Sequence, residues 1–190
     1  MIYATLYRIW GKVRLHYVKQ WEMAPAPRGG SRQYWWGGVG RACDRAMWQH
    51  CLKDEIAGAL KLGTATAVTD GHKFYEHVEH GLLLKASRGF DYPKRVMRLN
   101  LDMYKASRRC SLTGRFSRPV VAMRTIGAGC SHAQCLAKLA TIGGYDRVSK
   151  GLPHGCSLKV VVDDASAQAV APHGLLAAKV LGMLNSLRCT

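Results

Sequence analysis

Acidic side chains are scarce in this chain: 12 Asp and Glu stand against 28 Lys and Arg, a formal charge of +16. Solubility needs far less than that, so the imbalance points to a polyanionic partner, with nucleic acid ahead of an acidic membrane. Closely paired cysteines are missing as well. Cys43, Cys51, Cys110, Cys130, Cys135, Cys156 and Cys189 are odd in number and include no C-x-x-C pair with His at finger spacing. That pattern argues against structural zinc and implies a reducing compartment. No apolar run approaches the ~18 residues of a membrane span. The opening Met-Ile-Tyr-Ala-Thr-Leu-Tyr-Arg lacks the apolar centre of a secretory signal. The expectation is an intracellular, soluble chain, or a part of something larger. Internal repeats and low-complexity tracts are absent too.

What is present suffices for a core. A chain of 190 residues with 48% hydrophobic content fits one domain, or a domain with a small lobe. Over residues 3–22, Leu6, Trp10, Val13, Tyr17 and Trp21 recur at helical spacing, with Arg8, Lys12, Arg14 and Lys19 mostly elsewhere around the helix. This predicts an amphipathic, basic helix. Residues 24–38 mix prolines and glycines with Tyr34, Trp35 and Trp36, a loop that is either a solvated linker or a surface on which bases stack. A second helix is expected over 41–61, with Met47, Leu52, Ile56 and Leu60 inward, followed by a strand over 64–69. Two short helices come next, one carrying Val78, Leu82, Leu83 and Ala86, the other Val96, Leu99 and Met103 beyond Pro93. Thr113-Gly114 marks a hairpin with a basic rim of Arg108, Arg109, Arg115 and Arg118. A glycine loop at 126–131 feeds a helix from His132 toward Ala140, which Gly143-Gly144 weakens. Strand 157–162, a turn at Asp163-Asp164, strand 166–170 and a helix over 175–187 complete the chain.

Three of the few acids stand where strand-like runs stop. Asp70 ends Thr-Ala-Thr-Ala-Val-Thr, and Asp163-Asp164 end Leu-Lys-Val-Val-Val. Brought side by side, these carboxylates would repel one another, and divalent cations relieve that repulsion best. Paired metals on carboxylates suit phosphoryl or nucleotidyl transfer. Taken singly, Asp163-Asp164 fits a polar turn, Asp70 a helix cap and Tyr75 the core. His72, His77 and His80 match the solvated start of a helix better than a metal site, and His132 and Cys135 match packing positions. Tyr145-Asp146-Arg147 is expected at a surface helix end.

The order of these parts carries more than any one of them. Asp70-Gly-His-Lys-Phe-Tyr-Glu-His-Val-Glu-His, then Ile126-Gly-Ala-Gly-Cys-Ser, then Val161-Val162-Asp163-Asp164, resembles motifs A, B and C of reverse transcriptases, especially those of non-LTR retroelements and group II introns. Leu6-Tyr7-Arg8-Ile9-Trp10 and the adjoining basic helix look like the fingers segment before motif A. The resemblance implies an α+β polymerase palm, an antiparallel sheet backed by helices, with a mostly helical fingers remnant over 1–62. The palm itself would span 63–174, and 175–190 would begin a missing region with no thumb.

The same resemblance implies a function: RNA-directed DNA polymerase, a nucleotidyltransferase of a retrotransposon-like element. It would act in the cell, in the nucleus, on an RNA template, a DNA primer and deoxynucleoside triphosphates. Asp70, Asp163 and Asp164 would be catalytic and hold two Mg²⁺ ions, or Mn²⁺ in their place. Tyr75, Lys73, Gly127 and Gly129 would bind the nucleotide, with the Tyr75 ring excluding a 2′-hydroxyl, and Glu76 also fits motif A. Arg8, Lys12, Arg14, Arg115 and Arg118 would bind nucleic acid. The chain departs from the pattern at Val161, where motif C has an aromatic, and at Gly127-Ala128-Gly129, where motif B often has Pro-Gln-Gly. Only five residues precede Leu6, so a truncated domain is expected. A degenerate, non-catalytic palm that binds RNA or has no activity is the second reading. A Mg²⁺-dependent nuclease or phosphatase on the same carboxylates is a third, with no role for Tyr75 or the glycine loop.

Overall fold

A computed structural model describes residues 5–38, 40–127, 129–162 and 164–188. In chain order its elements are α1 (Thr5–Met23), α2 (Cys43–Ala59), β1 (Gly63–Thr69), α3 (Phe74–His77), α4 (His80–Gly89), α5 (Lys94–Lys105), β2 (Ser111–Leu112), β3 (Arg115–Phe116), α6 (Ala133–Gly151), β4 (Cys156–Val161), β5 (Asp164–Ala171) and α7 (His173–Arg188). The fold is mixed α+β, with seven helices among the described residues and a small antiparallel sheet. Two compact units divide the chain: Met1–Gly30 with Lys73–Ala140, and Ser31–His72 with Thr141–Thr190.

The second unit is built on a three-stranded sheet in the order β1-β5-β4, antiparallel throughout. Because side chains alternate across a strand, the register sorts them into two unlike faces. One face carries Ala165, Ala167 and Ala169 of β5, Leu158 and Val160 of β4 and Ala67 of β1, and it packs with Val148 of α6 and Met183 of α7 into an apolar core. Alanines suit the middle strand, since helices cross it closely. The opposite face is polar: Ser157, Lys159, Ser166 and Gln168.

Helix α2 meets that polar face, and the expectation for its buried side fails for this reason. Met47, Leu52, Ile56 and Leu60 are all exposed, as is Trp48, while Ala46, His50 and Ala57 are buried. His50 bonds the Gln168 side chain and the Ser166 hydroxyl, each at 2.9 Å. The Gln168 amide donates to the His50 carbonyl at 3.1 Å and to the Asp54 carboxylate at 2.8 Å. Lys159 donates to the Ala46 carbonyl at 2.7 Å, and Lys53 to the Ser157 hydroxyl at 2.8 Å. Polar partners across the interface outrank the apolar stripe, because buried groups left unpaired cost more than exposed leucines.

The aromatic segment 34–36 is not a solvated linker, and its Tyr34 and Trp35 are buried rather than offered for stacking. The Val160 amide donates to the Tyr34 carbonyl and the Trp36 amide to the Val160 carbonyl, both at 2.7 Å, so this stretch covers the free edge of β4. Tyr34 and Trp35 lie in the apolar core.

In the first unit, α1 buries Tyr7, Gly11, Val18 and Trp21. Leu6, Val13 and Tyr17, expected inward, are exposed. The buried face follows the polar anchors instead: the Tyr7 hydroxyl donates to the Asn100 side chain of α5, and the Trp21 indole donates to the Phe90 carbonyl at 2.6 Å. His132 bonds the Gly11 carbonyl at 3.0 Å, and Lys138 pairs with buried Glu22 at 3.5 Å. Val78, Leu83, Val96, Met97, Leu101, Tyr104, Leu136 and Leu139 fill out the core of this unit.

Candidate functional site

The carboxylates come first. Thr69 faces Ala165 across the β1–β5 pair, and its hydroxyl donates to the Ala165 carbonyl at 3.3 Å. Asp70 follows Thr69 directly and Asp164 precedes Ala165 directly. Asp70 and Asp164 thus flank the last pair of the β1–β5 ladder, at one end of the sheet. Both residues are exposed. Val161 faces Asp164 across the β4–β5 pair and is half-buried. Asp163 lies outside the described residues. Among the described residues, which do not include Asp163, no three His, Cys, Asp or Glu side chains gather closely enough to hold a metal ion.

The hairpin that carries Asp164 is tightly specified. Val162 sits at φ 60°, a conformation that a β-branched residue adopts only under compulsion. A Cβ on Gly37 would lie 3.0 Å from the Val162 Cγ2 and 3.1 Å from its amide nitrogen. The chain at 34–37 thus packs against both Val160 and Val162 and holds the turn in place.

In the first unit, Tyr75 shares a cavity of about 350 Å³ with Gly129, Cys130, Ser131, Ala133 and Gln134. The Ile126 amide donates to the Tyr75 carbonyl at 2.7 Å, tying the start of the glycine loop to the short α3. Two segments expected to act on one nucleotide are therefore neighbours. Gly129 stands at φ 81° with open space where a Cβ would be, so backbone conformation demands the glycine here rather than a close approach to it. Gly127 is buried, and Lys73 is exposed with φ 48° at the N-terminal boundary of α3. Helix α6 opens at Ala133, one residue beyond the His132 start expected from the sequence.

The basic positions divide. Arg8, Lys12, Arg14, Arg115 and Arg118 are all exposed, and the β2–β3 hairpin turns at Thr113 (φ 48°) and Gly114 (φ 79°). Arg108 is committed elsewhere, donating to the Met103 and Tyr104 carbonyls at 3.3 and 3.1 Å. His80 is buried, not solvated, with a ring nitrogen 3.1 Å from the Thr125 carbonyl, and His132 is buried in the core.

Several polar clusters had no local signal in the sequence. Arg32 grips Asp146 through two nitrogens at 2.7 and 2.9 Å, and the Tyr34 hydroxyl donates to the same carboxylate at 2.6 Å. Asp146 is therefore a half-buried anchor within α6, not a surface helix end. Burial alone would push its carboxyl up; the hydrogen bonds from Arg32 and Tyr34 and the Arg32 charge outweigh that and hold it below the usual range. Burial, with the nearby Lys53 charge adding to it, pushes the Lys159 ammonium down to about 8. Its nitrogen lies 5.6 Å from the centre of the Trp36 ring. Partners of this kind are more than a hundred residues apart, so no spacing rule finds them.

The chain matches no protein-family model and no curated protein sequence. Among the described residues, no helix is long and apolar enough to cross a membrane.

Proposed function

We propose that the chain is a reverse transcriptase palm, an RNA-directed DNA polymerase of the non-LTR or group II intron type. The observation that carries the reading is the strand register, which brings the ends of β1 and β5, next to Asp70 and at Asp164, to the same end of a β1-β5-β4 sheet. Helix caps or unrelated turns would have no reason to share a strand end.

The donor set fits magnesium. Asp70 and Asp164 offer hard oxygen ligands, exposed to solvent, at adjoining strand ends, and Asp163 is the third carboxylate of the reading. A pair of ions held there would supply activation of the primer 3′-hydroxyl and charge neutralisation on the departing pyrophosphate. The protein's own work is positioning. The pair between β1 and β5 keeps two carboxylates in fixed relation, and the 34–37 segment keeps the motif C turn from opening. Tyr75 presents an aromatic wall in the cavity formed with the glycine loop, and a flat ring selects deoxynucleotides by leaving no room for a 2′-hydroxyl. Lys73 would meet the triphosphate, and Arg8, Lys12, Arg14, Arg115 and Arg118 the nucleic-acid backbone.

Extension of a DNA primer on an RNA template, with Mg²⁺ or Mn²⁺, tests the proposal. The expected result is template-dependent synthesis that Asp70→Asn lowers by at least about a thousandfold, ~4 kcal/mol in the barrier. A folded chain that binds the template–primer duplex and extends nothing with either metal favours the second reading, a non-catalytic palm.

A further inference from the structure

We propose that the groove between α1 and α5 is a seat for unpaired RNA, distinct from the carboxylate edge and from the Tyr75 cavity. The groove encloses about 680 Å³ and is lined by Trp10, Arg14 and Tyr17 from α1 and by Lys94, Arg95 and Arg98 from α5. Asp102 is its one acid. Both helices belong to the first unit.

Three observations converge on a single-stranded polyanion. The cations face one another with little to neutralise them: among the described residues, none of Arg14, Lys94, Arg95 and Arg98 forms an ion pair. The first turn of α5 carries no acid, and Lys94 and Arg95 there oppose the positive end of the helix dipole. Such a cluster repels itself until phosphates arrive. Aromatic rings share the same groove. Tyr17 is 42% exposed, with the Arg14 guanidinium 5.6 Å from its ring centre, and Trp10 is half-buried, stacked on Tyr7 at 5.9 Å. A duplex keeps its bases out of reach, whereas an unpaired strand can lay a base on a ring while its phosphates meet the arginines. Finally, the site is concave. An acidic bilayer, which the exposed Leu6, Ile9 and Val13 of α1 would also suit, is flat and would leave the groove empty.

This inference rests on the nucleic-acid part of the function proposed above and on none of its catalysis. It is tested with the full chain, without metal or nucleotide, by fluorescence anisotropy of a labelled oligouridine of about 15 nucleotides and of an RNA duplex of the same length, at ~150 mM salt. Tyr17→Ala should weaken oligouridine binding about tenfold and duplex binding less than about twofold, with Tyr17→Phe restoring affinity. Arg95→Gln with Arg98→Gln should weaken oligouridine about tenfold and lower the salt slope by about 1.4. All three residues are exposed, and circular dichroism checks that each variant is folded. Unchanged oligouridine affinity in Tyr17→Ala overturns the proposal, as does an equal loss on the duplex. So does an arginine pair whose removal weakens binding to phosphatidylserine vesicles and leaves RNA binding intact. Absent primer extension with groove-dependent oligouridine binding counts against the polymerase alone; the converse counts against the groove alone.

Discussion

Three histidines, His50, His80 and His132, are held neutral chiefly by burial, which pushes each imidazole below its ordinary value. The unfolded chain, whose imidazoles titrate near ~6.5, takes up these protons first as pH falls. Stability is therefore full above ~6.5 and declines as pH drops toward the folded-state values. Thermal unfolding followed from pH 7.5 to 5 should show a falling midpoint, and His50→Gln should flatten part of the slope; a midpoint independent of pH over that range contradicts the burial of these rings. Asp146 works at a lower pH in the same direction, its depressed carboxyl losing its contribution below ~3.9. Asp146→Ala leaves the Arg32 guanidinium buried without its carboxylate and should cost about 3 kcal/mol in chemical denaturation. Gly129→Ala, in open space but at positive φ, should cost about 1 kcal/mol without blocking the loop. At Tyr75, Tyr75→Val should raise ribonucleotide incorporation about tenfold or more in an extending enzyme; unchanged sugar discrimination removes the ring from that role.

Elements were more legible than the faces they turn inward. The strand at β1, the hairpin β4–β5, the small β2–β3 hairpin and the last helix lie within about two residues of where alternation and turn chemistry put them. Helix α6 runs unbroken through Gly143-Gly144 to Gly151, because packing of Leu136, Leu139, Ile142 and Val148 outweighs the ~1 kcal/mol propensity cost of each glycine. The inward faces of α1 and α2 escaped the hydrophobic pattern for one reason: their neighbours present polar groups, buried Asn100 and His132 to α1, and buried Gln168 with half-buried Ser166 to α2. An apolar period marks the core only where the facing surface is apolar. Two substitutions at this interface test the point: Leu52→Gln on α2 should change stability by no more than about 0.5 kcal/mol, whereas Gln168→Leu on β5, which leaves buried His50 without its side-chain partner, should cost about 2 kcal/mol. The reverse ranking in urea denaturation would restore the face that the periodicity suggests.

For the whole molecule, the +16 charge predicts nucleic-acid affinity that falls steeply with salt as released counterions lose their advantage; salt-insensitive binding would mean that the charge serves another end. The mixed α+β class was readable from the chain, since runs of alternation and of helical spacing are both present. The strand order was not readable, because pairing β1 with β5 depends on contacts about a hundred residues apart. Nor was the use of Tyr34 and Trp35 as core and edge cover, hidden by the glycines and prolines around them. If strand pairing gathers distant carboxylates into the proposed metal site, Mn²⁺ titration of the isotopically labelled protein, followed by NMR, will register it at both strand ends. Amide signals around residues 69–70 and 164–165 should broaden together at low Mn²⁺, and Asp70→Asn should abolish both effects. Broadening of one segment without the other, or of neither, would contradict the proposed site.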